Sequence, residues 1–203
     1  MQILVVGTGE VGAFYAGRWA ARGHDVALSF AREEPRAREL ASRLGARWVG
    51  RAVPPEPEAV LLAVRLEHLA EARAWTGPLA GRVLLDAVNP FNPERSGLVD
   101  LAGRTAADRV AETWPEARHV KALHSIGVQR VREAEGPVTV FLAGEDAGAL
   151  EVASSLARDA DLEPLVTGGI ATARWSEPPG PLFSQAWSLE EARVQLDRVR
   201  SEV

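Results

Sequence analysis

The chain has 203 residues, 46% hydrophobic and 25% charged, with a formal net charge of −5; this is the profile of one globular domain with a sizeable core, and it gives no reason to expect nucleic acid as a partner. Cysteine is absent, which excludes disulfides, thiolate catalysis and cysteine-held metals. The first strand begins at once and no apolar run could span a bilayer, so a cytoplasmic enzyme or binding protein with no membrane partner is expected.

Residues 2–6 are a short apolar run with three β-branched side chains, suited to the middle of a parallel sheet. Gly7, Gly9 and Gly12 follow in G-x-G-x-x-G spacing, and a helix-compatible stretch over 11–22 closes at Gly23, where a left-handed cap would sit. A second strand, 25–30, completes a βαβ unit. In that setting Gly7 allows the tight turn, Gly9 lets backbone approach a pyrophosphate, and Gly12 lets helix pack on strand. The N–H groups at the helix start then face phosphate. Phe14, Tyr15 and Trp19 read as core, and Glu10 as a solvent-facing carboxylate beside the phosphates.

The end of the second strand selects the cofactor. An NAD receptor usually places Asp or Glu there for the ribose 2′-hydroxyl. This chain has Ser29-Phe-Ala-Arg32, and a hydroxyl followed by a guanidinium suits a 2′-phosphate. NADP is therefore expected over NAD, with Arg36 able to assist; Glu33 and Glu34 remain open as ribose readers.

Further along, 34–44 reads as a helix, 46–49 as a strand, and 54–57 as a proline turn. Residues 59–64 form a buried strand that carries Ala63 and Val64 to the ligand edge, and His68 reads as a solvated residue of the helix that follows. Strand 82–86 runs into Ala-Val-Asn89-Pro90, which either presents an amide toward the nicotinamide or simply starts a turn. A helix at 105–113 precedes a strand at 118–123, which delivers His124 and Ile126 to the same edge. A strand at 137–142, an alanine-rich helix to 158 and a strand at 163–166 follow. Strands alternating with helices predict an α/β fold of Rossmann type, doubly wound, with a mainly parallel sheet of about eight strands.

The texture changes after residue 166, dividing a dinucleotide-binding domain, 1–166, from a tail, 167–203, that completes the substrate side or a dimer contact. Proline confines 178–181 to a loop, and Ser188 with Glu191 forms a capping box. The helix it starts carries a stripe of Leu189, Ala192, Leu196 and Val199 that covers either its own sheet or a partner subunit. A homodimer is expected.

Taken together, Gly7-Thr8-Gly9-Glu10-Val11-Gly12, Ser29 with Arg32, Asp86-Ala-Val-Asn-Pro90, Val120-Lys-Ala-Leu-His-Ser-Ile126 and Leu142-Ala-Gly-Glu-Asp146 resemble the coenzyme F420-dependent NADP oxidoreductase family. The ferric-reductase domains of the STEAP membrane proteins are similar in build. The resemblance implies that Thr8, Gly9, Glu10 and Val11 wrap the pyrophosphate, that Ser29 and Arg32 hold the 2′-phosphate, and that Asn89 sits near the nicotinamide. It also implies that His124 and Ile126 flank the site where an acceptor stacks, His124 orienting it or handling a proton. Pro178 and Gly180 stand where deazaflavin-using members offer hydroxyls. The activity implied is hydride transfer between NADP(H) and a small-molecule acceptor, coenzyme F420 or another flavin-like compound. A non-catalytic NADP(H) sensor and a carbonyl or imine reductase are the alternatives.

Overall fold

The computed structural model describes residues 1–51 and 57–202; most of the proline turn expected over 54–57 lies outside them. Eight strands, β1 (Gln2–Val6), β2 (Asp25–Ser29), β3 (Arg47–Trp48), β4 (Ala59–Leu62), β5 (Val83–Asp86), β6 (Arg118–Lys121), β7 (Val138–Gly144) and β8 (Leu162–Gly168), form one sheet in the order β3-β2-β1-β4-β5-β6-β7-β8. Every neighbouring pair from β3 to β6 is parallel. The expected Rossmann-type sheet is therefore present, with one reversal: β7 runs antiparallel to β6, and β8 runs parallel to β7.

The reversal has a local cause. Between β6 and β7 the chain has a single helix, α5 (Val128–Glu133), of six residues. At about 1.5 Å per residue it advances only about 9 Å, too little to carry the chain back to the far edge, so β7 starts where β6 ended. The other helices are α1 (Glu10–Ala21), α2 (Glu34–Leu44), α3 (Leu69–Thr76), α4 (Ala106–Thr113), α6 (Ala147–Asp159), α7 (Ala173–Ser176) and α8 (Leu189–Ser201).

The strands alternate between two cores, as a pleated strand must. Ile3 and Val5 of β1 join Phe14, Tyr15 and Trp19 of α1 and Ala153 and Leu156 of α6 on one face. Leu4 and Val6 join Leu69 and Ala72 of α3 and Val110 and Trp114 on the other. The two deepest indoles satisfy their N–H groups, Trp19 on the Leu156 carbonyl at 2.8 Å and Trp114 on the Thr76 hydroxyl at 3.1 Å.

The tail closes on the same sheet. Ala192, Leu196 and Val199 of α8 are buried with Leu182 against Phe141 of β7, and Leu165 of β8 packs at their side. Ala192, Leu196 and Val199 of the expected stripe are thus covered by their own chain. Among the described residues, no helix is long and apolar enough to cross a membrane.

Candidate functional site

The carboxyl ends of β1, β2 and β4 open into a groove of about 580 Å³. Its floor depends on glycine at two places. Gly7 leaves β1 with φ of +110°, and a Cβ there would run into the carbonyl of Ala63; a Cβ on Gly12 would run into the carbonyl of Gly7. Gly9 differs. It is the N-cap of α1, and nothing lies within 4 Å of where its Cβ would be. The first turn of α1 therefore presents unpaired N–H groups to open space, the arrangement that receives phosphate. Thr8, Gly9 and Glu10 line this groove with Ala63 and Val64 from the end of β4. Glu10 is exposed and sits 3.6 Å from Arg132.

One end of the groove is cationic. Arg32, Arg36 and Arg43 line it together with His68. Arg36 pairs with Glu33 at 3.1 Å, and Arg32 Nη2 lies 3.0 Å from His68 Nε2. Phe30, at φ of +59°, turns the chain out of β2, and its ring packs against those of His68 and Trp75. Ser29 does not join this cluster. Its buried hydroxyl donates to the Gly50 carbonyl at 2.5 Å, fastening β2 to the chain beyond β3. The expected hydroxyl reader of the 2′-phosphate is thus a structural tie.

The other end of the groove leads into a second hollow of about 260 Å³, which shares Gly9, Glu10, Ala63 and Val64 and adds Val11, Asn89, Phe91 and Arg95. The Asn89 Nδ2 group donates to the His124 carbonyl at 2.9 Å, while its Oδ1 is buried without a partner. A buried acceptor left unpaired costs about 1–3 kcal/mol, so this oxygen suits a ligand N–H. Phe91 forms the outer wall, packed on Phe183 with ring centroids 6.1 Å apart. Arg65 secures the following loop by donating to the Asn92 carbonyl at 3.2 Å and to that of Pro93. Pro90 points away, into a separate hollow beside Leu98, Pro178 and Pro179.

Beneath Asn89 lies a buried ionic network. Lys121, Asp86 and Glu177 are 0%, 0% and 3% exposed. Lys121 Nζ is 3.2 Å from Asp86 and 2.9 Å from Glu177, and it also donates to the Val88 carbonyl. Asp86 accepts from the Val88 N–H at 2.8 Å and lies 3.1 Å from His119 Nε2. Glu177 accepts from the Ala106 and Ala107 N–H groups at the start of α4, at 2.7 and 2.9 Å. Burial alone would push the Asp86 carboxyl up; Lys121 and His119 more than reverse this and hold it down at about 2. The network clamps the 86–90 turn that carries Asn89.

His124 and Ile126 lie elsewhere than expected. His124 is 3% exposed, its Nε2 is 2.9 Å from the Ser176 hydroxyl, and it lines neither hollow of the groove. Burial, and the charge of Lys121, push its pKa well below the usual histidine value, so it is neutral. Its contribution to the site is its main-chain carbonyl, which holds Asn89. Ile126 packs in the core with Leu123 and Val128, because a side chain at that place in the chain continues the apolar layer under α5. Neither lines the groove or the second hollow.

At Gly180 a Cβ would run into the carbonyls of Arg174, Trp175 and Glu177. The backbone there is folded too tightly on itself to offer a hydroxyl side chain.

Two features of the site escaped the sequence reading. His68 lines the groove, and the Lys121 network supports Asn89. The second had a signal: a lysine within a buried strand needs a counter-charge, and Asp86 is its direct neighbour in register. Glu177, far along the chain, had none.

Comparison with known proteins agrees with the resemblance read from the sequence. Residues 2–90 match the family described as NADP oxidoreductase, coenzyme F420-dependent. The metalloreductase STEAP3 of Rattus norvegicus is 27% identical over 173 residues, which are 84% of this chain and 34% of that protein. The chain thus spans about a third of that relative's length. Among solved structures, a protein from Arthrobacter sp. FB24 assigned as an F420-dependent NADP reductase superposes with a TM-score of 0.74 at 27% identity, covering 93% of this chain and 99% of that one. A hypothetical protein of Sinorhizobium meliloti reaches a TM-score of 0.82 at 22% identity, covering 92% and 95%, a likeness of fold.

Proposed function

We propose that this chain, whose residues 2–90 match the coenzyme F420-dependent NADP oxidoreductase family, binds NADP(H) in its groove and transfers hydride to a flat acceptor, coenzyme F420 or another flavin-like compound. One observation carries the reading: the groove with its arginine cluster and open helix N-terminus adjoins, through shared residues Gly9, Glu10, Ala63 and Val64, a hollow that holds an unpaired amide oxygen. These match the 2′-phosphate, the pyrophosphate and the nicotinamide carboxamide.

The residues present fit the cofactor. Arg32 and Arg36 would hold the 2′-phosphate through charge-assisted forks. The N–H groups after Gly9 would hold the pyrophosphate. Asn89 Oδ1, buried and unpartnered, would accept from the carboxamide. Bound there, NADP(H) supplies or takes the hydride. Close alignment in a dry cleft, rather than a strong acid or base, is what such a transfer demands. Ala63 and Val64 give the nicotinamide end an apolar side, Phe91 gives it an aromatic wall, and the Asp86–Lys121–Glu177 clamp fixes the turn that orients Asn89. His124, neutral and buried, donates no proton to the acceptor.

The test is to mix the protein with NADPH and, in turn, deazaflavin, FMN or FAD without oxygen, and follow the reduced-nicotinamide absorbance. Loss of that band with one of the three is expected. Tight NADPH binding with no oxidation by any of them would instead favour a non-catalytic NADP(H) sensor. The closed backbone at Gly180 supports that second reading, since it leaves no hydroxyl for a deazaflavin.

A further inference from the structure

We propose that His68 is a second recognition residue for the 2′-phosphate, and that its side chain takes up a proton when NADP(H), but not NAD(H), binds. This rests on the cofactor reading above and adds a residue and a pH dependence to it.

The inference starts from one bond. Arg32 stands on the loop after β2 and His68 ends the short 3-10 helix that leads from β4 into α3, so the 3.0 Å contact between them joins two segments that line the groove. A guanidinium keeps its protons at any ordinary pH and can only donate. His68 Nε2 must therefore be the acceptor in this contact. A phosphate brought to Arg32 competes for that same N–H, and it wins because guanidinium–phosphate bonds are charge-assisted and often bidentate. The freed Nε2 lone pair would then face phosphate oxygens, acceptor against acceptor. Taking one proton from solvent converts Nε2–H into a donor to the phosphate. Imidazole is the side chain that can make this change near neutral pH.

The surrounding charges oppose protonation in the free state and favour it in the bound one. From the loop after β2, Arg32 opposes it at contact distance. Arg36, neutralised by Glu33, and Arg43 line the same groove from α2. On the helical side Glu71 lies 3.7 Å from His68 Nδ1 and favours it, and Glu67 is already paired with Arg65 at 2.7 Å. The Phe30 ring, 6.1 Å away, contributes no charge. The incoming phosphate tips the balance. NAD(H) lacks the phosphate, so the Arg32–His68 bond persists and no proton is taken up.

Calorimetric titration of the whole protein with NADPH and with NADH, in buffers of different ionisation enthalpy, reads the proton directly. Near pH 7.5 NADPH should bind with uptake of up to about one proton and NADH with almost none. Between pH 8 and 6.5 the NADPH dissociation constant should fall about fivefold or more, while that for NADH moves less than about twofold. The phosphate's own titration, with a pKa near 6, would release protons at an arginine site, the opposite sign. His68→Gln, a half-exposed substitution, should remove both the uptake and the NADPH-specific pH dependence. Tight NADPH binding without proton uptake, or a His68→Gln protein with the parent's pH profile, overturns the inference alone. NADPH binding no tighter than NADH at every pH overturns the cofactor reading and the inference with it.

Discussion

His124 offers a sharp test of how the site is built, because a neutral buried histidine leaves a signature in stability. Burial, with Lys121 nearby, depresses its pKa in the folded protein well below 6.5; the unfolded chain keeps an ordinary value near 6.5. The folded state then binds fewer protons than the unfolded state as pH falls, so stability is full above about pH 6.5 and declines below it, until the folded-state pKa is reached. With the folded ring unprotonated, the penalty is negligible at pH 7 and at most about 2 kcal/mol at pH 5. Urea unfolding of the parent and of His124→Gln at both pH values isolates this contribution, since the other three histidines cancel in the comparison. The parent should lose more stability than the variant between pH 7 and 5, by up to about 2 kcal/mol. Parallel pH profiles would show that His124 titrates freely, and would restore it as a candidate proton donor.

Lys121→Met should cost about 3–5 kcal/mol in chemical denaturation, because it strands Asp86 and Glu177 as buried carboxylates; a change under 1 kcal/mol would mean the clamp is not ionic. Leu196→Ala, at a position 2% exposed on the α8 stripe, should cost about 2–5 kcal/mol. A neutral effect there would place the stripe outside the folded core.

The first βαβ unit was readable because its constraint is local: three glycines at fixed spacing, a strand before and a helix after. Asn89 was legible only as part of an Asn-Pro turn; that its Oδ1 is buried and unpaired shows only in the structure. The β7 reversal was not readable, since a strand's composition carries no direction. The brevity of the 128–133 segment was the available sign. Ser29 illustrates the two-residue period of a strand: it shares a face with Ala27, its hydroxyl is taken by the Gly50 carbonyl, and the positive φ of Phe30 then redirects the chain toward Arg32. His124 follows a similar turn, with Leu123 at φ of +61° sending it inward. Contacts that close through distant segments, Glu177 onto Lys121 and α4 above all, leave no pattern within any one segment.

The central claim is that the arginine end of the groove reads a 2′-phosphate, and equilibrium titration of the parent and Arg32→Ala with NADPH and NADH tests it most directly. Losing a charge-assisted bond of about 1.5–3 kcal/mol should weaken NADPH by about 10- to 150-fold while leaving NADH within about threefold. Equal affinity of the parent for both cofactors, or an equal loss of both in the variant, would contradict the account.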